Sequence, residues 1–481
     1  MVGSPKKHLL WSGLVFVSKL LKGFSNLLIA IFVARAFGAE SSGQYFLVLT
    51  IVLVSSQIAQ LGFHQGVLKF TPFLIANQAY IGIRHLILMT TSIALVASII
   101  LAGLLNQYSE IVSTNIFRKP EISDLIKYMS LVIIGWTLFR IQASYLQSRL
   151  QLSGIVVYEN LILPLFLLGG LVAIYLLDGD IVDYGLVTGL IYILLAVAIA
   201  IPVFNSLPAT EKLKSERITL KRLLIYSLPL MAAGLIQQLV LWSDTLMIGY
   251  FMKSSDVGIY NAGMRIALAT TVILYVSNTV LVPFISKYSA EQDWEKLKQQ
   301  YHDVAYYLVL LALPVLFIVI FFGKWILGLF GDEFVEAYVS LLILMIGQFI
   351  NIATGSAGYI LMMTGKEKIE AINIVLTLII NIIMNLLLIP EYGIVGAAIS
   401  TSVSLVLVNL LRAYQNHLLV GLPWLSKEFL ILIACAFLAL ILITFIDDGT
   451  TKSLTTITAA ISILVFGIYQ KRSVIKLLMK N

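Results

Sequence analysis

Fourteen long apolar stretches fill nearly the whole chain, and little sequence lies between them. A hydrocarbon core about 30 Å thick is crossed by a helix of roughly 20 apolar residues. Lipid offers the backbone no hydrogen-bond partners, so stretches of this length must be helices, and we predict an all-α integral membrane protein. The fourteen predicted spans are 11–34, 44–61, 79–105, 124–148, 152–177, 183–204, 223–249, 258–285, 303–322, 337–361, 369–389, 393–416, 427–446 and 453–470.

The distribution of lysine and arginine orients these spans, because cytoplasmic loops are enriched in both residues. When the amino terminus, which carries Lys6 and Lys7, is placed inside, the cytoplasmic segments hold three times as many lysines and arginines as the outer segments. The net charge of +7 therefore reflects membrane topology, and we expect no binding to nucleic acid. We predict a multi-pass protein of the cytoplasmic membrane with both termini in the cytoplasm.

Several kinds of chemistry lack the residues that they need. The pairs Gly323-Lys324 and Gly365-Lys366 have neither the glycine spacing nor the Ser/Thr of a phosphate-binding loop, so we expect no ATP hydrolysis. The five histidines form no pair four residues apart, and we expect no metal site. The only cysteine, Cys435, lies in the middle of a span and cannot form a disulfide within the chain. The short loops leave no room for a catalytic domain, so we predict neither an enzyme nor a bound cofactor.

The sequence also repeats itself. Three matches occur in the same order at span ends: Gly43-x-Tyr45 with Gly258-x-Tyr260, Tyr145 with Tyr359, and Tyr184-Gly185 with Tyr392-Gly393. The unit is six helices used twice, and because six is even, both copies enter the membrane in the same direction. We predict a first lobe over 1–210, a second lobe over 211–420 and two additional helices over 421–481. A cleft between two such lobes would open to each side of the membrane in turn.

Charged side chains within the spans indicate a polar interior. A cation near the middle of the bilayer costs about 2.5–3.5 kcal/mol on insertion scales. Lys19 lies near the middle of the first span, and Lys22 follows one turn later on the same face. Arg265 lies in the eighth span and Arg140 near the cytoplasmic end of the fourth. We predict that these four cations line a cavity for an anionic substrate. Snorkelling to the interface, or pairing with Glu159, is the alternative for Arg140.

Polar residues of the seventh span extend this hypothesis. The repeat places Gln237 opposite Lys22, so Gln237 and its neighbour Gln238 are candidate cavity lining. Asp244 is the clearest acid within a span. Three roles stay open for it: a structural lock with one of the cations, a structural cap, or the binding site of a coupling cation. Asparagines within the spans are expected to hold helices together; they are Asn26, Asn278, Asn351, Asn373, Asn381 and Asn385.

The segment from Arg35 to Tyr45, RAFGAESSGQY, resembles the first-loop signature of the polysaccharide transporter family. This family includes Wzx-type O-antigen and oligosaccharide flippases of the multidrug/oligosaccharidyl-lipid/polysaccharide exporter superfamily. The segments 244–250 and 257–260 are similar to the second-lobe counterpart of that signature, and the resemblance extends over the whole chain. It implies a flippase that moves polyprenyl-diphosphate-linked oligosaccharide across the cytoplasmic membrane by alternating access.

The resemblance also implies partners. We expect the lipid-linked oligosaccharide, the bilayer and a polysaccharide polymerase as partners of a monomeric protein. Lipid II flippases of the superfamily use cavity arginines in their first, second and eighth spans; Arg265 has a comparable position, but the second span carries no arginine. A lipid II flippase and a multidrug or cation antiporter, which Asp244 would suit, are alternatives on the same fold. A membrane enzyme that processes glycans is a third class, against which the short loops argue.

Overall fold

The computed structural model describes residues 5–149, 157–207, 217–425, 427–444 and 449–470. All regular elements in these ranges are helices, which confirms the predicted all-α class. The helices are α1 Pro5–Ala59, α2 Phe63–Ala76, α3 Tyr80–Gln107, α4 Ser123–Met129, α5 Leu131–Ser148, α6 Leu163–Leu176, α7 Ile181–Asn205, α8 Leu220–Phe251, α9 Ser254–Thr270, α10 Val272–Ala290, α11 Trp294–Gly328, α12 Tyr338–Ala353, α13 Ala357–Met363, α14 Glu367–Val420, α15 Lys427–Thr444 and α16 Gly449–Gln470. Single turns or short π and 3₁₀ segments occupy Ser109–Ile111, Val112–Ile116, Pro120–Ile122, Tyr158–Ile162 and Asp332–Ala337.

Two of the helices each run through two predicted spans. Helix α1 bends at Gly38, with φ 75° and ψ 178°, and α14 bends at Gly393, with φ 58° and ψ −135°. A side chain at either position would be strained, so glycine allows these bends. Within the described ranges, ten helical stretches are long and apolar enough to cross a membrane, and α1 and α14 account for two of them. The total of fourteen spans stays a prediction.

Helix α2 lies between the second and third predicted spans, where only a connection was expected. The chain turns at Leu61 and Gly62, both with positive φ, and then forms fourteen further helical residues. Val67, Phe70 and Leu74 are buried on one face of this helix. Their spacing of three and four residues is helical, but the stretch is too short to count as a membrane span.

The chain divides into two compact units, Met1–Asn261 and Ala262–Asn481. In the first unit, α7 packs closely on α4 through two glycines. A Cβ atom on Gly185 would lie 2.3 Å from Leu125 Cδ1, and one on Gly189 would lie 2.9 Å from the carbonyl oxygen of Tyr128. The four-residue spacing of these two glycines therefore lets the helices approach closely. The lobe boundary at residue 210 stays a prediction.

The second unit contains a core built on α11. Tyr306, Leu313 and Phe317 from this helix are buried together with Phe429 and Leu432 of α15. The Tyr306 hydroxyl donates to the carbonyl oxygen of Gly467 in α16 at 3.2 Å. Both C-terminal helices are thus packed onto the helix that corresponds to the ninth predicted span.

The repeated glycines Gly43 and Gly258 pack against each other inside the first unit. A Cβ atom on Gly43 would lie 1.7 Å from the carbonyl oxygen of Ser254 and 2.8 Å from the amide nitrogen of Gly258. A Cβ atom on Gly258 would lie 2.3 Å from the carbonyl oxygen of Ala39. Helices α1 and α9 therefore meet backbone to backbone, and the glycine of each repeat copy has a packing role.

Gly43→Ala is expected to lower the stability of the protein by at least about 1–3 kcal/mol, the usual cost of overpacking, because the atoms it meets are backbone and cannot rotate away. Thermal unfolding of the purified protein in detergent measures the effect. Gly103→Ala is the matched control, since Gly103 is exposed on α3 and a Cβ atom added there would meet no other atom within 4 Å. An equal unfolding temperature for both variants would contradict the close packing.

Candidate functional site

One carboxylate and two cations meet in the first unit. Glu159 lies in the π-helical turn Tyr158–Ile162, which precedes α6. Lys22 Nζ of α1 donates to Glu159 Oε1, and Arg140 Nη1 of α5 lies 3.4 Å from Glu159 Oε2. The Glu159 side chain is 12% exposed, whereas those of Lys22 and Arg140 are 30% and 34% exposed. The alternative partner expected for Arg140 is therefore present, and Lys22 shares it.

The local structure fixes the position of this cluster. Asn160, next to Glu159 in the same turn, donates from Nδ2 to the buried Ser18 Oγ at 3.0 Å. Two adjacent side chains thus attach one π-turn to α1, and such turns are frequent at functional sites. The Arg140 guanidinium carbon also lies 5.8 Å from the ring centroid of Trp136, one turn earlier on α5. Arg140 is therefore held both by the carboxylate and by an aromatic ring.

The structure says less about the other predicted cavity residues. The side chain of Lys19 lies outside the described part of the structure, although its backbone is helical three residues before Lys22. Arg265 is half-buried on α9 and belongs to the second unit. Gln237 is exposed and Gln238 half-buried on α8. That these residues line one cavity stays a prediction.

Asp244 is buried in α8, with 1% of its surface exposed. Its Oδ2 accepts a hydrogen bond from the hydroxyl of Tyr260 in α9, the tyrosine of the repeated Gly-x-Tyr motif. The next residue, Thr245, has its hydroxyl 3.3 Å from Asn261 Nδ2 of α9. Asp244 therefore takes part in joining α8 to α9. Its role as a coupling-ion site stays a prediction.

Lys119 is a buried cation in a segment that was predicted to be an outer loop. Its ammonium donates to the carbonyl oxygens of Gly249 at 2.6 Å and Met252 at 2.5 Å, at the C-terminal end of α8. The last carbonyls of a helix have no partner within the helix, and a cation there is favourable. Burial lowers the pKa of Lys119, against the opposite effect of the Glu121 and Asp256 carboxylates. Lys119 thus caps α8.

The second unit contains a more buried ion pair, which was not predicted. Arg412 Nη2 contacts Glu370 Oε1, and Arg412 Nε donates to Glu370 Oε2 at 3.0 Å. The side chains are 16% and 6% exposed. Both residues belong to α14, near its two ends, and the bend at Gly393 brings the two arms together. Glu370 follows Glu159 in the sequence by nearly the same number of residues as separates the repeated tyrosines. This match is the sequence feature that could have drawn attention to Glu370.

Amides extend this pairing along α14. Asn373 and Gln415 exchange hydrogen bonds of 2.7 and 3.1 Å across the two arms. Asn381 donates to Thr401 Oγ1 at 2.9 Å in the same way. At these positions asparagines within the spans hold helical segments together, as predicted.

Comparison with known proteins places this architecture in a family. The family model described as "Polysaccharide biosynthesis protein" matches residues 32–339, more than half of the chain. The chain belongs to this family. One relative is a probable low-salt glycan biosynthesis flippase of Haloferax volcanii, 23% identical over 404 residues that cover 83% of this chain and 81% of the relative. A putative O-antigen transporter of Shigella flexneri is 24% identical over 195 residues, which are 40% of this chain and 46% of that protein.

Solved structures share the fold. The lipid II flippase MurJ in an inward closed conformation superimposes with a TM-score of 0.77 at 15% identity, over 96% of this chain and 99% of that chain. An inward-facing multidrug resistance MATE family transporter of the MOP superfamily gives a TM-score of 0.64 at 14% identity, over 83% and 94% of the two chains. At these identities the likeness establishes the fold alone. The predicted membership of the polysaccharide transporter family is confirmed by the family model and agrees with these relatives.

Proposed function

We propose that the protein is a flippase, which carries a polyprenyl-diphosphate-linked oligosaccharide across the cytoplasmic membrane by alternating access. The observation that carries the proposal is the cluster of Lys22 and Arg140, two cations gathered around one carboxylate in a chain of the polysaccharide biosynthesis family. A diphosphate that enters a low-dielectric interior loses its hydration, and charge-assisted hydrogen bonds from lysine and arginine offset that loss.

The relatives support the same substrate class, since two of them carry names of a glycan biosynthesis flippase and an O-antigen transporter. In the proposed mechanism Lys19, Lys22, Arg140 and Arg265 bind the anionic headgroup, and Gln237 contacts the sugars. Further parts of the proposal are a cytoplasmic position of both termini, a monomeric state and a polysaccharide polymerase as the enzyme that uses the flipped product.

A clean deletion of the gene in a strain that lacks paralogues tests the function. The lipid-linked oligosaccharide is expected to accumulate on the cytoplasmic face, because synthesis continues while translocation stops. Accessibility of the glycan to an impermeant lectin, before and after opening of the membrane vesicles, measures its sidedness. A plasmid copy of the gene is the control and should restore the outer location. Normal surface polysaccharide in the deletion strain would contradict the proposal.

A multidrug or cation antiporter is the second candidate, and the buried carboxylate of Asp244 favours it. Antiport of a cationic drug would need this carboxylate to bind a cation in exchange. The candidate predicts that the deletion strain becomes sensitive to cationic dyes while its surface polysaccharide stays normal. The same strain therefore separates the two functions.

A further inference from the structure

The cluster of Lys22, Arg140 and Glu159 is asymmetric in exposure. The carboxylate is 12% exposed, and each cation is at least 30% exposed. Glu159 is therefore the most buried member of the cluster, and each cation keeps a larger exposed surface than the carboxylate does. An ammonium has three N–H donors and a guanidinium five, more than one carboxylate can accept. The two cations thus have the capacity to engage a second anion.

The pair of Glu370 and Arg412 supplies an internal comparison, because Glu370 follows Glu159 at nearly the spacing of the repeated tyrosines. Glu370 pairs with one arginine in a two-point contact, and Asn373 Nδ2 lies 3.4 Å from the same carboxylate. The arginine and glutamate of that pair are only 16% and 6% exposed. Glu159 instead serves two cations on different helices, and its contact with Arg140 is 3.4 Å long. The second unit thus has a buried ion pair with a two-point contact, whereas in the first unit two more exposed cations share one carboxylate.

We propose that Glu159 is a resident counter-anion, which holds Lys22 and Arg140 in the unloaded protein and is replaced by the diphosphate of the substrate. This inference rests on the proposed flippase function. Two partly buried cations without an anion would be costly at every step of a transport cycle in which the substrate leaves. Exchange of one anion for another avoids that cost, and the two phosphoryl groups of a diphosphate can reach both an ammonium and a guanidinium.

Through this exchange, Glu159 controls how tightly the protein binds the diphosphate and how fast it releases it. When the diphosphate is bound, Glu159 repels it; when the diphosphate leaves, Glu159 takes the cations back. A neutral side chain of the same shape is therefore expected to strengthen binding and to slow release. A purely structural role for Glu159 predicts the opposite, because a lost ion pair would loosen the site and weaken binding.

Binding of polyprenyl diphosphate to the purified full-length protein in detergent tests the exchange. Glu159→Gln is expected to bind at least about tenfold more tightly than wild type, which corresponds to about 1.4 kcal/mol. In proteoliposomes the same variant should flip the lipid more slowly. The matched control is Asp293→Asn, at a carboxylate paired with Lys296 on the protein surface, and its affinity should equal that of wild type. Unchanged or weaker binding by a folded Glu159→Gln protein would overturn the inference.

Two further arms make the test independent of folding and of ligand source. Glu159→Asp keeps the charge on a shorter side chain, so its affinity should lie between those of wild type and Glu159→Gln; an affinity equal to or below wild type would also overturn the inference. Polyprenol, which lacks phosphate, should show no gain in any variant. Inorganic pyrophosphate is the last ligand to be measured. If Glu159→Gln also binds pyrophosphate more tightly than wild type does, the site recognises the diphosphate group itself and not the attached lipid. Failure of wild type to bind polyprenyl diphosphate at all would instead remove the proposed function.

Discussion

Arg412→Leu is expected to destabilise the protein by about 3–5 kcal/mol, the usual cost of removing one partner from a buried ion pair. The substitution leaves the Glu370 carboxylate, 6% exposed, with neither of its two contacts to the guanidinium. It also removes the hydrogen bond of 3.3 Å from Arg412 Nη1 to Asn409 Oδ1. The two arms of α14 would then be joined at this end by the hydrogen bonds between Asn373 and Gln415 but no longer by the ion pair.

Thermal unfolding in detergent measures the loss, and the double variant Glu370→Leu/Arg412→Leu gives it a sharp control. Replacement of both charges by apolar groups is often neutral, so the double variant should recover most of the stability. Lys296→Leu, at the surface pair with Asp293, should change stability by no more than about 1 kcal/mol. A double variant as unstable as Arg412→Leu would show that packing, and not the unpaired charge, causes the loss.

Hydropathy could predict the helical class because every membrane span needs an apolar stretch of about the same length. It placed connections at 35–43 and 390–392, but it could not predict that helix continues through both with one bend, at Gly38 and Gly393, because each bend lies in the backbone angles of a single residue. Helix α2 was missed for a different reason, since fourteen residues of helix pattern fall short of a span. Hydropathy averaged along the sequence does not reveal the backbone angles of one residue or the presence of a short amphipathic helix.

The candidate site was partly predictable because cations within spans are rare and expensive. Lys22 and Arg140 could be named on that basis, and Glu159 could be named as a partner of Arg140. The pair of Glu370 and Arg412 was missed because it forms only when α14 folds back at Gly393, which brings together residues far apart in the chain. The internal repeat gave one indication of this pair, because Glu370 follows Glu159 at nearly the repeat spacing.

Lys19→Ala is expected to abolish transport while the protein still reaches the membrane. Lys19 precedes Lys22 by three residues on α1, so the two side chains start from the same face of the helix. A cation at this depth costs about 2.5–3.5 kcal/mol, and an anionic substrate that offsets this cost would lose roughly 100-fold or more in transport when the cation is removed. Flipping of the lipid-linked oligosaccharide in proteoliposomes measures the effect.

The loss must be separated from a loss of folding. Alanine is smaller, apolar and a good helix former, so Lys19→Ala should unfold at a temperature equal to or above that of wild type. Lys296→Ala, which removes an exposed cation at the start of α11, is the matched control and should transport normally. Normal transport by Lys19→Ala would place this lysine outside the substrate path.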